Sequence, residues 1–126
     1  MQLVYFTMTG QTRRFIKKLD LPAYEIDASN PFVELHEPYI LIVPTYDRDI
    51  TEVVNDFVDY KSNRDNLKGV AGSGNRNFAD LFVFTAKDFA KDYNVPLLFV
   101  FEFNGTDDDV NKFKKVVSEI EFKTNE

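Results

Sequence analysis

Apolar positions along the chain fall into short blocks of two kinds, continuous runs and helically spaced stripes, separated by polar turns. Residues 2–6 form a run rich in Val, Tyr and Phe, which predicts a buried strand. A turn-rich segment follows, and then Phe15, Ile16 and Leu19 share one face of a helix that Pro22 ends. Residues 23–26 predict a short, weaker strand. Tyr39–Val43 is the clearest strand, apolar on both faces as a central strand of a parallel sheet must be. Ile50, Val53, Val54, Phe57 and Val58 then recur at helical spacing. A polar connector over 61–66 leads to a further strand over 67–71, and 72–78 reads as a loop outside regular structure. Phe82, Thr85, Ala86, Phe89 and Tyr93 mark the next helix. Residues 97–103 predict the last strand, with Phe99, Phe101 and Phe103 on one face. Thr106 caps a final helix whose first turn holds Asp107, Asp108 and Asp109, where the helix dipole favours negative charge. Val110, Phe113, Val117 and Ile120 line its buried side.

Strands alternating with helices predict an α/β fold with a parallel sheet covered on both faces, in one domain spanning residues 1–126. The stretch 27–38 contains Pro31 and Pro38 and holds at most a turn of helix. Five strands commonly take the order 2-1-3-4-5, which opens a crevice between the first and third strands at their carboxyl ends.

Composition narrows the chemistry. With 44% hydrophobic residues and 13 Phe among 126 residues, the chain can build an ordered core. It has no cysteine, which excludes disulfides, thiolate metal sites, iron–sulfur clusters and cysteine nucleophiles. The single histidine, His36, sits between Glu34 and Glu37 and reads as a surface residue. A formal charge of −6 argues against nucleic acid as a partner. No apolar run approaches the ~20 residues of a membrane span, and the chain opens into a strand where a signal peptide would stand. A soluble cytoplasmic protein without a membrane partner is therefore expected.

Three loops meet at the predicted crevice. Thr7-Met8-Thr9-Gly10-Gln11-Thr12 offers three hydroxyls, a glycine and a helix N-terminus, a set able to hold a phosphate without a cation. It lacks the Gly-x-x-x-x-Gly-Lys of nucleoside-triphosphate loops, so a single terminal phosphate suits it better. The same residues also fit an ordinary turn capped by Thr9 or Thr12. Pro44-Thr45-Tyr46-Asp47-Arg48-Asp49 supplies Tyr46, either as a stacking surface or as a half-buried lid. Gly72-Ser73-Gly74-Asn75-Arg76-Asn77-Phe78 brings backbone amides, two Asn side chains and Phe78, which either stacks on a ring or anchors the next helix. Apolar faces and hydrogen bonds at one edge are what a flavin needs.

The first loop is similar to the phosphate loop of flavodoxins. The run from Gly72 to Phe78, with Gly69-Val70 before it and Asp80 after it, resembles the NrdI family, flavodoxin-like accessory proteins of class Ib ribonucleotide reductase. Lys91-x-Tyr93-x-Val95-Pro96 and Phe101-Glu102-Phe103-x-Gly105-Thr106 share the resemblance. It implies a three-layer flavodoxin-like sandwich with a five-stranded sheet, carrying flavin mononucleotide (FMN). It also implies an electron-donating reductase, O2 as a small-molecule reactant, and the radical-bearing dimanganese subunit of the reductase as partner. By position, Thr7, Met8, Thr9, Gly10, Gln11 and Thr12 would hold the phosphate. Pro44, Thr45, Tyr46 and Asp47 would flank the ring, and Gly72, Ser73, Gly74, Asn75, Asn77 and Phe78 would line its other side. Many relatives carry glycines after the third strand. Asp47-Arg48-Asp49 has none, which implies weak semiquinone stabilisation.

Other classes fit less well. A general electron-transfer flavodoxin would share the first loop but not the Gly-Ser-Gly-Asn-Arg-Asn run. A signalling receiver needs clustered aspartates after the first strand, where Phe6-Thr7-Met8 stands. A cofactor-free interaction module would be colourless. No residue reads as a poised acid, base or nucleophile, so the protein is expected to present a cofactor and not to act as a stand-alone enzyme. Tyr46, Arg48, Arg76 and Phe78 are the expected partner contacts around the ring.

Overall fold

The computed structural model describes residues 1–125, and the side chain of Asp80, one of the residues carrying the resemblance, lies outside that description. Five strands form one parallel sheet: β1 (Gln2–Tyr5), β2 (Ala23–Glu25), β3 (Tyr39–Val43), β4 (Leu67–Gly74) and β5 (Leu97–Glu102). Their order is β2-β1-β3-β4-β5, the expected one. The helices are α1 (Gln11–Leu19), α2 (Arg48–Val58), the single turn α3 (Asn63–Asn66), α4 (Phe84–Asp92) and α5 (Asp107–Asn125).

Alternation along the strands divides the core in two. Tyr39, Leu41 and Val43 of β3 face Val54, Phe57 and Phe89 of α2 and α4. Ile40 and Ile42 face Phe15, Leu19, Phe113 and Val117 of α1 and α5. All five residues of β3 are fully buried, which explains its unbroken apolar run. On the second side Phe15 stacks on Phe101 with ring centroids 3.9 Å apart. The capping of α5 is reciprocal: Thr106 Oγ1 accepts from Asp109 N at 3.0 Å, and Asp109 Oδ2 accepts from Thr106 N at 2.9 Å.

Several elements depart from the sequence reading. The predicted loop 72–78 is half strand, because β4 continues through Gly72, Ser73 and Gly74. Gly72 pairs with Val43 on one side, while Ser73 and Gly74 pair with Phe101 and Glu102 on the other. A short 3-10 segment, Arg76–Leu81, follows, and Phe82 precedes α4 instead of lying on its stripe. The predicted strand 97–103 ends at Glu102, since Phe103 turns out of line at φ 51°. In α2, Thr51 is buried in place of Ile50, which is 39% exposed. On α5, Ile120 is only half-buried.

The two polar connectors, predicted as plain linkers, are stitched to each other. Asn63 in α3 is fully buried. Its Oδ1 accepts from Leu35 N at 2.7 Å, and its Nδ2 donates to Val33 O at 2.7 Å and Phe57 O at 2.8 Å. Glu34 accepts from Ser62 N and Oγ at 3.1 and 2.6 Å. This lacing satisfies the Val33 carbonyl and the Leu35 N–H in a stretch, 27–38, that has neither helix nor strand. Asn63→Ala strands those partners inside the protein and is expected to cost roughly 2–4 kcal/mol. Urea unfolding of the variant measures it.

Tyr39 carries a buried hydroxyl with no hydrogen-bond partner among the described residues. Burial pushes its pKa well above the ordinary tyrosine value, and Tyr93 nearby is pushed up to about 12, mainly by burial. Both folded-state values exceed those of the unfolded chain, so the unfolded state loses its protons first. Stability is therefore expected to hold to about pH 10 and to fall as pH rises further. Tyr39→Phe removes one of these titrations, and its urea midpoint is expected to decline less steeply with alkaline pH than the wild type's.

Candidate functional site

The carboxyl ends of β1, β3 and β4 converge on one side of the sheet, and the chain leaves each through a different kind of turn. After β1, Gly10 takes a left-handed conformation (φ 88°) that turns the chain into α1. Gly10 is the N-cap and brings no side chain, so the turn is not capped by Thr9 or Thr12. Thr7 Oγ1 accepts from Gly10 N at 3.1 Å, which fixes the turn and leaves the Thr7 O–H available to donate. Thr9 and Met8 are exposed, Gln11 is half-buried, and Thr12 is 1% exposed within the helix. Without a side-chain cap, the first N–H groups of α1 point outward as donors.

After β3 the chain runs directly into α2, with exposed Asp47 as its N-cap residue and exposed Arg48 as its first residue. The intervening Tyr46 is held by its backbone. Its N–H donates to Thr85 Oγ1 at 3.1 Å, and Thr85 Oγ1 donates to its carbonyl at 2.9 Å. Thr45 Oγ1 donates to Ser73 O at 2.7 Å, tying this loop to β4.

After β4 the chain enters an Asx turn in which Asn75 Oδ1 accepts from Asn77 N at 2.9 Å. Arg76 braces the segment, with Nε 3.2 Å from Glu102 Oε1 and its guanidinium 4.4 Å from the centroid of the Phe82 ring. Phe78 is 61% exposed, so it anchors nothing in the core; buried Val83 and Phe89 hold α4 instead.

Between these turns lies an open cleft of about 240 Å³. Gln11, Thr45, Tyr46, Gly74, Asn75 and Phe78 line it, and Pro44 and Ser73 reach it from buried positions. Residues from all three expected loops are therefore brought together. Thr7, Met8, Thr9, Gly10, Thr12, Asp47 and Asn77 stand outside this lining, so Gln11 alone of the first loop reaches it, and Gly72 is buried beneath α4, where a Cβ would stand 2.3 Å from Ala86 Cβ. Gly74 is constrained likewise: a Cβ there would lie 3.0 Å from Val83 N and 3.1 Å from Thr45 Oγ1.

The family described as "NrdI Flavodoxin like" matches residues 3–115. The chain belongs to the NrdI flavodoxin-like family. A solved structure of a short-chain flavodoxin associated with a bacterial microcompartment has a TM-score of 0.68 at 20% identity, covering 99% of this chain and 97% of that one. At that identity the likeness establishes the fold. Membership of the NrdI family implies a flavin cofactor, and the site fits one. A cleft lined by Gly74 and three aromatic residues, Tyr46, Phe78 and Phe103, lies beside a turn of neutral donors. No described helix is long and apolar enough to cross a membrane, and no described cluster of His, Asp and Glu could hold a metal ion.

Sequence reasoning missed three contributors. Thr85 counted only as a position on a helical stripe, although a hydroxyl among buried apolar neighbours signals a polar task. Phe103 lines the cleft because it leaves the strand. Arg13 lies beside Gly10 and is paired with Glu25. Thr85→Val leaves both backbone groups of Tyr46 without their partner. Amide hydrogen exchange at Tyr46 is expected to quicken, with a stability loss of about 1–3 kcal/mol.

Proposed function

We propose that the cleft binds FMN and that the protein serves class Ib ribonucleotide reductase as a redox activator. The match of the NrdI family to residues 3–115 carries this reading. The arrangement of the three turns supports it. The uncapped N-terminus of α1, the Thr7 hydroxyl and exposed Thr9 suit a terminal phosphate. Tyr46 and Phe78 offer aromatic surface to a ring, and the amides near Gly74 and Asn75 offer its polar edge donors and acceptors.

A bound flavin would supply the redox chemistry, the transfer of electrons from a reductase to O2 that would yield superoxide or peroxide for a dimanganese centre in the partner subunit. The residues of this chain position and shield. Thr85 holds the Tyr46 backbone, and the Arg76–Glu102 pair holds the turn after β4. Phe78, Leu81 and Phe103 are exposed apolar side chains on the loops after β4 and β5, an apolar surface that suits docking of the partner subunit.

The purified protein is expected to be yellow, or to become so on adding FMN, and to retain FMN through gel filtration. It is then expected to co-purify with the manganese-loaded subunit, and Phe78→Ser is expected to weaken that capture about tenfold or more. A protein that binds no flavin contradicts the proposal at its first step. Tight FMN binding without capture of the subunit would leave a general electron-transfer flavodoxin.

A further inference from the structure

Arg13 occupies the first turn of α1, next to the turn at Gly10. Its guanidinium forms a two-pronged pair with Glu25, the last residue of β2. Nε donates to Oε1 at 2.7 Å and Nη2 donates to Oε2 at 3.0 Å. The third nitrogen, Nη1, faces elsewhere: it lies 3.8 Å from the point where a Cβ on Gly10 would stand. A guanidinium carries five N–H donors, and the pair with Glu25 employs only two, so Nη1 keeps both of its own. An arginine with donors to spare therefore sits against the glycine that shapes the turn.

We propose that Arg13 recognises the phosphate of the bound flavin through Nη1 and that Glu25 both aims it and tempers its charge. This rests on the FMN reading of the cleft. Arg13 is an exposed side chain held in one geometry, and a fixed guanidinium loses less freedom on meeting an anion than a mobile one. Glu25 is ionised throughout the neutral range, because the Arg13 hydrogen bonds, aided by the Tyr5 hydroxyl, hold its carboxyl below the usual range. The phosphate thus meets a cation already paired with an anion. Such a site distinguishes a phosphorylated flavin from an unphosphorylated one without becoming a general anion trap. Its ligand class is a phosphate monoester on a flat ring.

The test compares FMN with riboflavin, which has the same ring and no phosphate, by fluorescence quenching in wild type, Arg13→Gln and Glu25→Gln. Wild type is expected to prefer FMN. Arg13→Gln is expected to lose about three- to tenfold of that preference through weaker FMN binding, with riboflavin unchanged. Raising salt should weaken FMN binding to wild type more than to the variant. Glu25→Gln, which leaves the arginine uncompensated, should raise the FMN preference. Circular dichroism confirms folding of each variant. A purely structural tie between α1 and β2 would leave the FMN-to-riboflavin ratio where it was. An unchanged ratio in Arg13→Gln overturns the role of Arg13, and an unchanged or lowered ratio in Glu25→Gln overturns the tempering by Glu25. A wild type that binds FMN no more tightly than riboflavin overturns the phosphate reading itself, independently of either variant.

Discussion

The site depends on how closely α4 lies on β4. At Gly72 the absent side chain leaves room for Ala86, and at Gly74 it leaves room for the backbone of Val83 and the hydroxyl of Thr45. Close packing of this kind lets Thr85, on the buried face of α4, reach across and hold Tyr46 through both backbone groups. The ends of β3 and β4 are joined a second time by the bond from Thr45 to Ser73. Two turns that would otherwise be independent surface loops become one wall. A methyl group at either glycine would push helix and strand apart, and dense interiors absorb such shifts poorly.

Polar groups are used sparingly around that wall, and most are neutral. The turn after β1 is fixed by Thr7 to Gly10, and that after β4 by Asn75 to Asn77. Three ion pairs stand near the cleft: Arg13 with Glu25, Arg76 with Glu102, and Arg48 with Asp88. These pairs fix the shape of the rim. Exposed pairs add little to stability, so their value here lies in geometry.

Most of the fold was legible from residue spacing. The five-residue apolar run of β3 allowed only a central position in a parallel sheet, and the stripes of α1 and α4 mark faces that the structure buries. Legibility failed where tertiary contacts overrule local preference. Gly-Ser-Gly has weak strand propensity, so 72–74 resembled a loop until pairing with β3 and β5 made it a strand. Phe103 continued the alternation of β5 on paper but adopts a positive φ, and its exposure follows from that turn. The Arg13–Glu25 pair could not be foreseen from spacing, because only the parallel register of β1 and β2 sets Glu25 beside Tyr5, at the mouth of the first turn. The buried Asn63 was hidden for a similar reason: two of its three partners, Val33 and Leu35, lie 30 and 28 residues back along the chain.

The central claim is that ligand recognition takes place at the carboxyl ends of β1, β3 and β4 through backbone groups held in fixed turns. Titrating the 15N-labelled protein with FMN and following every backbone amide tests this most directly. The account predicts that the largest shifts fall on Thr9, Gly10, Gln11, Tyr46 and Asn75, with the opposite end of the sheet near Lys68 and Pro96 undisturbed. Shifts centred between α2 and α4, or spread evenly over the surface, would contradict it.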